Sequence, residues 1–260
     1  MRPAIAQYYP ADSLLHRLDP RTKVIVVMAL SIALFARSSF AALIVYAGVV
    51  LIALLLSRVP LPWFWRGLRP LLWLVVLTFV VQVLFAPGKA FWRLGPLHLS
   101  TYGLKFAGYL SLRLVVLVLL GSLLTLTTSP IALTDGLAWL ARPLRRLHVP
   151  SDELALMVTI ALRFIPTLLV EVETIMRAQR ARGADFAHGG PIRRARALVP
   201  VLVPLFVLSF RRADELALAM EARCYEPGRR RTRLHPLRAQ ARDGLALALA
   251  AGVVVLAALV

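Results

Sequence analysis

The sequence predicts an all-α integral membrane protein, with about five transmembrane helices and a membrane-apposed cytoplasmic domain of amphipathic helices. Three observations lead there. Apolar residues fill 59% of the 260 positions, against roughly 45–50% in soluble domains. The excess is gathered into runs of Leu, Val, Ala and Ile rather than spread along the chain. The net charge is +18, from 31 Lys and Arg against 13 Asp and Glu, and the basic residues alternate between dense and sparse connecting segments, as positive-inside topology requires.

Residues 1–23 are polar and irregular, with Pro3, Pro10 and Pro20 and the bases Arg2, Arg17, Arg21 and Lys23. No apolar stretch precedes residue 24, so a cleaved signal peptide is not expected. The first apolar run, 24–36, is short for a span of about 20 residues. Extending its helix back to Pro20, with Arg21 and Lys23 snorkelling, makes it long enough. Arg37-Ser38-Ser39 breaks it from a second run at 40–56. A basic segment follows, with Arg58, Arg66 and Arg69 among Pro60, Pro62, Trp63 and Trp65; its tryptophans suit an interfacial belt. The third run is 71–86. Residues 87–103 read as a mixed loop able to hold a short hairpin or an interfacial piece. The fourth run is 104–126 and the last is 245–260.

The segment 129–244 holds 19 of the 31 basic and 11 of the 13 acidic residues. It also holds two ambiguous apolar stretches. Residues 154–170 could span but contain Arg163 and Pro166; residues 197–210 are short and carry Pro200 and Pro204. If both spanned, six arginines between 171 and 196 would face outward, against the positive-inside bias. Five spans with a cytoplasmic N-terminus put 1–23, 57–70 and 129–244 inside. The expected organisation is therefore 1–128 (N-terminal segment and four spans), 129–244 (cytoplasmic helical domain) and 245–260 (last span). Ser129-Pro130 starts a helix with Pro130 at its first position, with an approximate apolar face at Ile131, Leu133, Leu137, Leu140 and Leu144.

Catalytic motifs are missing. There is no GxxxxGK[ST] phosphate cradle; Gly88-Lys89 lacks the preceding glycine. There is no HExxH, and His16, His98, His148, His188 and His235 show no metal-ligand spacing. The single cysteine, Cys224, excludes an intrachain disulfide or a cysteine metal site. No paired carboxylates lie within spans, so no proton relay is expected. Gln82 and Arg113 are the main polar groups in the spans; Arg113 either lies near a helix end, binds a backbone carbonyl, or anchors neighbouring helices or a partner. No cofactor and no metal are expected. Arg229-Arg230-Arg231 and Arg233, just before the last span, read as an anchor on anionic lipid, not as a nucleic-acid site.

Two similar segments stand out. Residues 163–183 and 204–224 each begin apolar with a proline, become amphipathic, and end in Ala-Arg-small: Ala181-Arg182-Gly183 and Ala222-Arg223-Cys224. A further alanine, Ala178 or Ala219, lies one turn before each arginine. Small residues at a helix end allow close backbone approach, and an arginine projecting from them can fork onto a carboxylate or onto carbonyls. An ordinary amphipathic surface helix with solvated arginines is the competing reading.

Over nearly its whole length the chain resembles the transmembrane T components of energy-coupling-factor (ECF) transporters, which include cobalt-, nickel- and biotin-type subunits. Asp12-Ser-Leu-Leu-His-Arg-Leu-Asp-Pro-Arg-Thr-Lys23 is similar to the family's opening motif. Leu162-Arg-Phe-Ile-Pro166 with Ala178-Gln-Arg-Ala-Arg-Gly183 is similar to its first signature, and Arg212-Ala-Asp-Glu-Leu-Ala-Leu-Ala-Met-Glu-Ala-Arg-Cys-Tyr225 to its second. The resemblance implies a non-catalytic subunit of an ABC-type importer in a bacterial or archaeal cell membrane. Its partners would be two cytoplasmic ABC-type ATPases and a small membrane S component that binds a vitamin or metal ion. Ala181, Arg182 and Gly183 would form one ATPase contact and Ala222, Arg223 and Cys224 the other, at the ends of coupling helices. Cys224 replaces the family's usual glycine. It keeps the residue small but disfavours a positive φ, so the resemblance fixes the second arginine more firmly than the way the chain leaves its helix. The alternatives are a membrane enzyme or a basic membrane-tethered binder, neither with an ATPase partner.

Overall fold

A computed structural model describes residues 8–36, 39–85, 90–94, 97–141, 143, 150–186, 190–228 and 240–260. Within them lie α1 (Pro20–Ala36), α2 (Phe40–Ser57), α3 (Leu61–Phe85), β1 (Ala90–Leu94), β2 (Leu97–Ser100), α4 (Thr101–Thr127), α5 (Pro130–Leu140), α6 (Ser151–Ala181), α7 (Pro191–Glu221) and α8 (Ala241–Leu259). The chain divides into two compact units, 1–140 with 235–260 and 141–234.

The first unit is a helical bundle built from α1, α2, α3, α4 and α8. Its core joins Leu34 of α1, Leu43 and Tyr46 of α2, Val116 and Leu120 of α4, and Ala257 of α8. Ala42, Ala107 and Ala257 are almost wholly buried. Small residues at such contacts let helices approach closely where lipid supplies no hydrophobic drive for association. α1, α3 and α8 run in one direction and α2 and α4 in the other. The turns 58–60 and 127–130, the residues before α1 and the start of α8 therefore share one end of this unit. Ser39, the β-hairpin and Val260 share the opposite end, where the Ser39 hydroxyl donates to the Val260 carbonyl at 3.3 Å. The mixed loop expected at 87–103 contains the antiparallel hairpin β1–β2.

Five helices are long and apolar enough to cross a membrane: α2, α3, α4, α8 and the stretch Glu153–Ala181 of α6. The expected list had α1 where this one has α6. At 17 residues, α1 is about 26 Å long, near the lower limit for a span, yet it packs inside the bundle against α2, α4, α5 and α8. The third helix starts ten residues before the apolar run at 71. Pro62 sits in its first turn, where a missing N–H costs little, and Pro70 is carried inside it. No residue of α3's most apolar stretch is buried.

Arg113 combines two of its readings, the carbonyl contact and the anchor between helices. Its guanidinium donates to the Leu34 carbonyl and lies over the ring of Phe35 at 4.3 Å, tying α4 to the end of α1. Ser129 accepts the Ala132 N–H at 3.3 Å and α5 begins at Pro130. α5 buries Gly136 and Ala138, while Ile131 and Leu137 stay exposed. A Cβ on Gly136 would meet the Pro20 carbonyl carbon at 3.3 Å, so the absence of a side chain there allows α5 to lie on α1.

The second unit contains α6 and α7, each 31 residues long. Their contacts run antiparallel. Gln179 reaches the Pro200 carbonyl, Arg212 donates to Glu171, and the N–H of Gly228, beyond α7, donates to Glu153 near the start of α6 at 2.9 Å.

Candidate functional site

The two Ala-Arg-small segments fold alike. After α6, the N–H of Gly183 donates to the Arg180 carbonyl at 3.0 Å and that of Ala184 to the Gln179 carbonyl at 3.0 Å. After α7, the N–H of Cys224 donates to the Glu221 carbonyl at 2.8 Å and that of Tyr225 to the Met220 carbonyl at 3.0 Å. These paired bonds define the Schellman motif, whose turning residue is left-handed. Gly183 has φ 87° and Cys224 φ 56°. Cys224 therefore takes the left-handed turn that its side chain disfavours, at a cost of roughly 1–2 kcal/mol relative to glycine, and the second helix ends as the first does.

Each arginine is the last residue before the left-handed turn. Arg182 and Arg223 are exposed, as are Ala181, Gly183, Ala222 and Cys224. Neither guanidinium has a protein partner among the described residues. Because the helices are antiparallel, the two turns lie toward opposite ends of the pair. The contacts at 171/212 and 153/228 place Arg182 level with about residue 200 of α7, some 23 residues and roughly 35 Å from Arg223 along the axis. The sites are thus one kind of turn, twice, well separated.

The prolines help to hold the pair. Pro204 has no N–H, so the Pro200 carbonyl loses its partner within α7. The Gln179 side chain of α6 donates to that carbonyl at 3.4 Å. Gln179 belongs to the first signature, four residues before the left-handed Gly183, so the signature supplies an interhelical contact as well as the arginine.

A family model described as the cobalt transport protein CbiQ matches residues 11–234. The chain is 51% identical over 239 residues to the energy-coupling factor transporter transmembrane protein EcfT of Thermosediminibacter oceani, covering 92% of this chain and 90% of the relative. The EcfT of Heliobacterium modesticaldum is 48% identical across 97% and 95% of the two chains, and that of Acidaminococcus fermentans 46% across 94% and 92%. The chain belongs to the T components of energy-coupling-factor transporters.

A T component of this kind is a multi-pass membrane protein and a non-catalytic subunit. Its opening motif also proves to be a site of dense polar contact, at the end of the first unit where α1 and α8 begin and α4 stops. Asp19 caps α1, its carboxylate accepting the Arg21 N–H at 2.9 Å, and its own N–H donates to Asp243 of α8 at 2.8 Å. The other oxygen of Asp243 accepts the Gln240 N–H at 2.7 Å, in a capping box that starts α8. The Lys23 amine donates to the Thr127 carbonyl at 2.9 Å and the His16 carbonyl at 3.3 Å. Lys23 is 8% exposed; it caps the end of α4 instead of snorkelling outward as expected. Arg21 stacks over Trp139 of α5 at 4.8 Å. Upstream, the Tyr9 N–H donates to the Leu126 carbonyl. His16 bridges Ser13 Oγ at 2.7 Å and the Tyr9 carbonyl at 3.0 Å. Burial depresses the His16 pKa below its ordinary value of 6.5, with the Tyr9 carbonyl acting the other way. A neutral imidazole satisfies both contacts by donating from Nε2 and accepting at Nδ1.

The sequence marks the two Ala-Arg-small helix ends but not this network. Asp243 lies more than 220 residues from Asp19, and nothing local marks the two as neighbours. The capping pattern Asp-Pro-Arg at 19–21 was the one available signal.

Proposed function

We propose that this T component is the energy-coupling scaffold of an ECF importer for a vitamin or metal ion. Arg182 and Arg223 would each engage one of two cytoplasmic ABC-type ATPases, and a small S component would carry the substrate. The observation that carries the proposal is the repetition of one exposed Schellman turn whose arginine has no partner among the described residues, at widely separated ends of a stiff helix pair. A dimeric motor offers two equivalent grooves, and two equivalent, separated turns suit it. Ala181 and Ala222 keep each helix end narrow; Gly183 and Cys224 turn the chain away at once, leaving the arginine as the foremost side chain. ATP binding that closes the ATPase dimer would move both turns together. The helices would carry that displacement as rigid bodies to the S component and tilt it in the bilayer.

The orientation follows from charge. The end of the first unit with Arg17, Arg21, Lys23, Arg58 and Arg242 is the basic one, whereas Arg93 and Lys105 belong to the other. By the positive-inside bias the N-terminus is cytoplasmic. On this reading the two arginine turns and the ATPases that meet them are cytoplasmic.

The test is co-purification from native membranes through a tag on this chain. Two ABC-type ATPases and one or more small apolar proteins are expected with the wild type. Arg182→Glu or Arg223→Glu should each reduce ATPase recovery at least tenfold, and the double variant should abolish it. Full recovery with the double variant would sink the docking assignment.

A further inference from the structure

The two signatures are related by a fixed offset: Ala181, Arg182 and Gly183 recur as Ala222, Arg223 and Cys224, 41 positions later. Applied to Glu171, the same offset gives Arg212. These two equivalent positions, one on each helix, are joined to each other by an ion pair. In an antiparallel pair with local two-fold symmetry, residues on the axis are those that meet their own equivalents. Glu171 and Arg212 therefore mark the axis. Arg182 lies eleven residues beyond Glu171 and Arg223 eleven beyond Arg212. Eleven residues are close to three full turns, so each coupling arginine sits on nearly the same face as its helix's member of the pair, roughly 16 Å away.

The local chemistry sets this pair apart. The other described ion pairs of α6 and α7, Arg177–Glu173 and Arg211–Glu215, lie within one helix, with side chains 62–78% exposed. Glu171 and Arg212 link the two helices with side chains 21% and 32% exposed. Arg212 also lies 5.6 Å from the centre of the Phe164 ring of α6. Glu171 Oε2 and Arg212 Nη1 are buried, with no partner among the described residues. The contact thus uses one oxygen and one nitrogen of groups able to form a two-pronged fork. The spare atoms allow a second bond to form as the crossing angle changes, without the first breaking.

We propose that the Glu171–Arg212 ion pair is the fulcrum of a two-armed lever, a positioning element that fixes the crossing of α6 and α7 so that displacement of one arginine turn is transmitted to the other. This rests on the docking reading above. Opposite charges are required at the fulcrum because equivalents meet there: two carboxylates or two guanidiniums would repel. The role is geometric, so the pair should tolerate exchange of its members. An attachment site for an external partner would not.

The experiment uses the complex purified from membranes through a tag on this chain, with Cys224 left in place and spin labels attached through p-acetylphenylalanine in place of Arg177 and Leu218. These positions are exposed and are themselves 41 apart, one on each arm. The label-to-label distance is measured by pulsed electron paramagnetic resonance, with and without ATP plus vanadate. With the pair intact, one narrow distance that shifts on trapping is expected. Glu171→Gln should broaden the distribution at least twofold and remove the shift while the ATPases still co-purify. The exchanged variant, Glu171→Arg with Arg212→Glu, should restore the narrow distance. A width and shift unchanged by Glu171→Gln would overturn the proposal, as would a folded exchanged variant that stays broad. Loss of the ATPases from the unsubstituted chain would instead defeat the docking reading, and the widths without nucleotide would still decide the fulcrum.

Discussion

At the scale of single residues, Cys224 shows what one atom group costs. It sits at φ 56°, where glycine is unstrained and other residues pay about 1 kcal/mol or more. Cys224→Gly relieves that strain but frees the unfolded chain, so the melting temperature in detergent should hardly move. Cys224→Val, branched at Cβ, should lower stability by more than about 1 kcal/mol. Equal melting temperatures for the two variants would mean the turn is not left-handed. His16 gives a pH signature. Its folded-state pKa is depressed below 6.5 by burial, so the unfolded chain binds the proton first as pH falls. Its contribution is whole above about 6.5 and is lost as pH drops from there through the lowered value. The melting temperature should fall over that window, and less so in His16→Gln; identical pH profiles would remove His16 from the account. The left-handed turn at 183 was legible from Gly183. The one at 224 was not, because cysteine argues locally against it, and only the matching hydrogen bonds of the two helix ends override that preference.

At the scale of elements, helix ends carry the information that the apolar runs lack. α4 stops where Lys23 of α1 supplies a charged donor to the Thr127 carbonyl, and α8 starts where Asp243 accepts from both Gln240 and Asp19. Lys23→Met keeps the bulk but removes that donor and leaves Asp19 and Asp243 without the nearby cation. The loss should be about 2 kcal/mol, seen as a lower melting temperature with unchanged helical content; no change would make the contact incidental. Apolar runs located α2, α4 and α8 to within four residues at each end. They misplaced the start of α3, because Pro62 and Pro70 read as loop punctuation although the first turn of a helix accepts one and an apolar span can absorb the other. They left α6 ambiguous for a similar reason: Arg163 and Pro166 interrupt a helix whose length and hydropathy suffice to span. The bond from Gln179 to the proline-freed carbonyl of Pro200 could not be read at all, since it depends on which turn of α7 lies beside α6.

At the scale of the whole molecule, the sequence patterns determine membrane class and family, while sidedness can be tested on the unaltered chain. Cys224 is the only cysteine and is exposed. If the arginine turns are cytoplasmic, as proposed, a membrane-impermeant maleimide should leave Cys224 unlabelled in intact cells and label it in inverted vesicles from cells lacking the ATPases; labelling of intact cells would reverse that sidedness. The eleven-residue arms have one more consequence, for how such a chain can change length. Deleting a single residue between Glu171 and Arg182, or between Arg212 and Arg223, swings the arginine by about 100° around its helix. Removing four nearly restores the direction but draws the turn in by about 6 Å. Insertions and deletions should therefore be tolerated between the helices and rejected inside the arms, where reach and angle cannot both be kept.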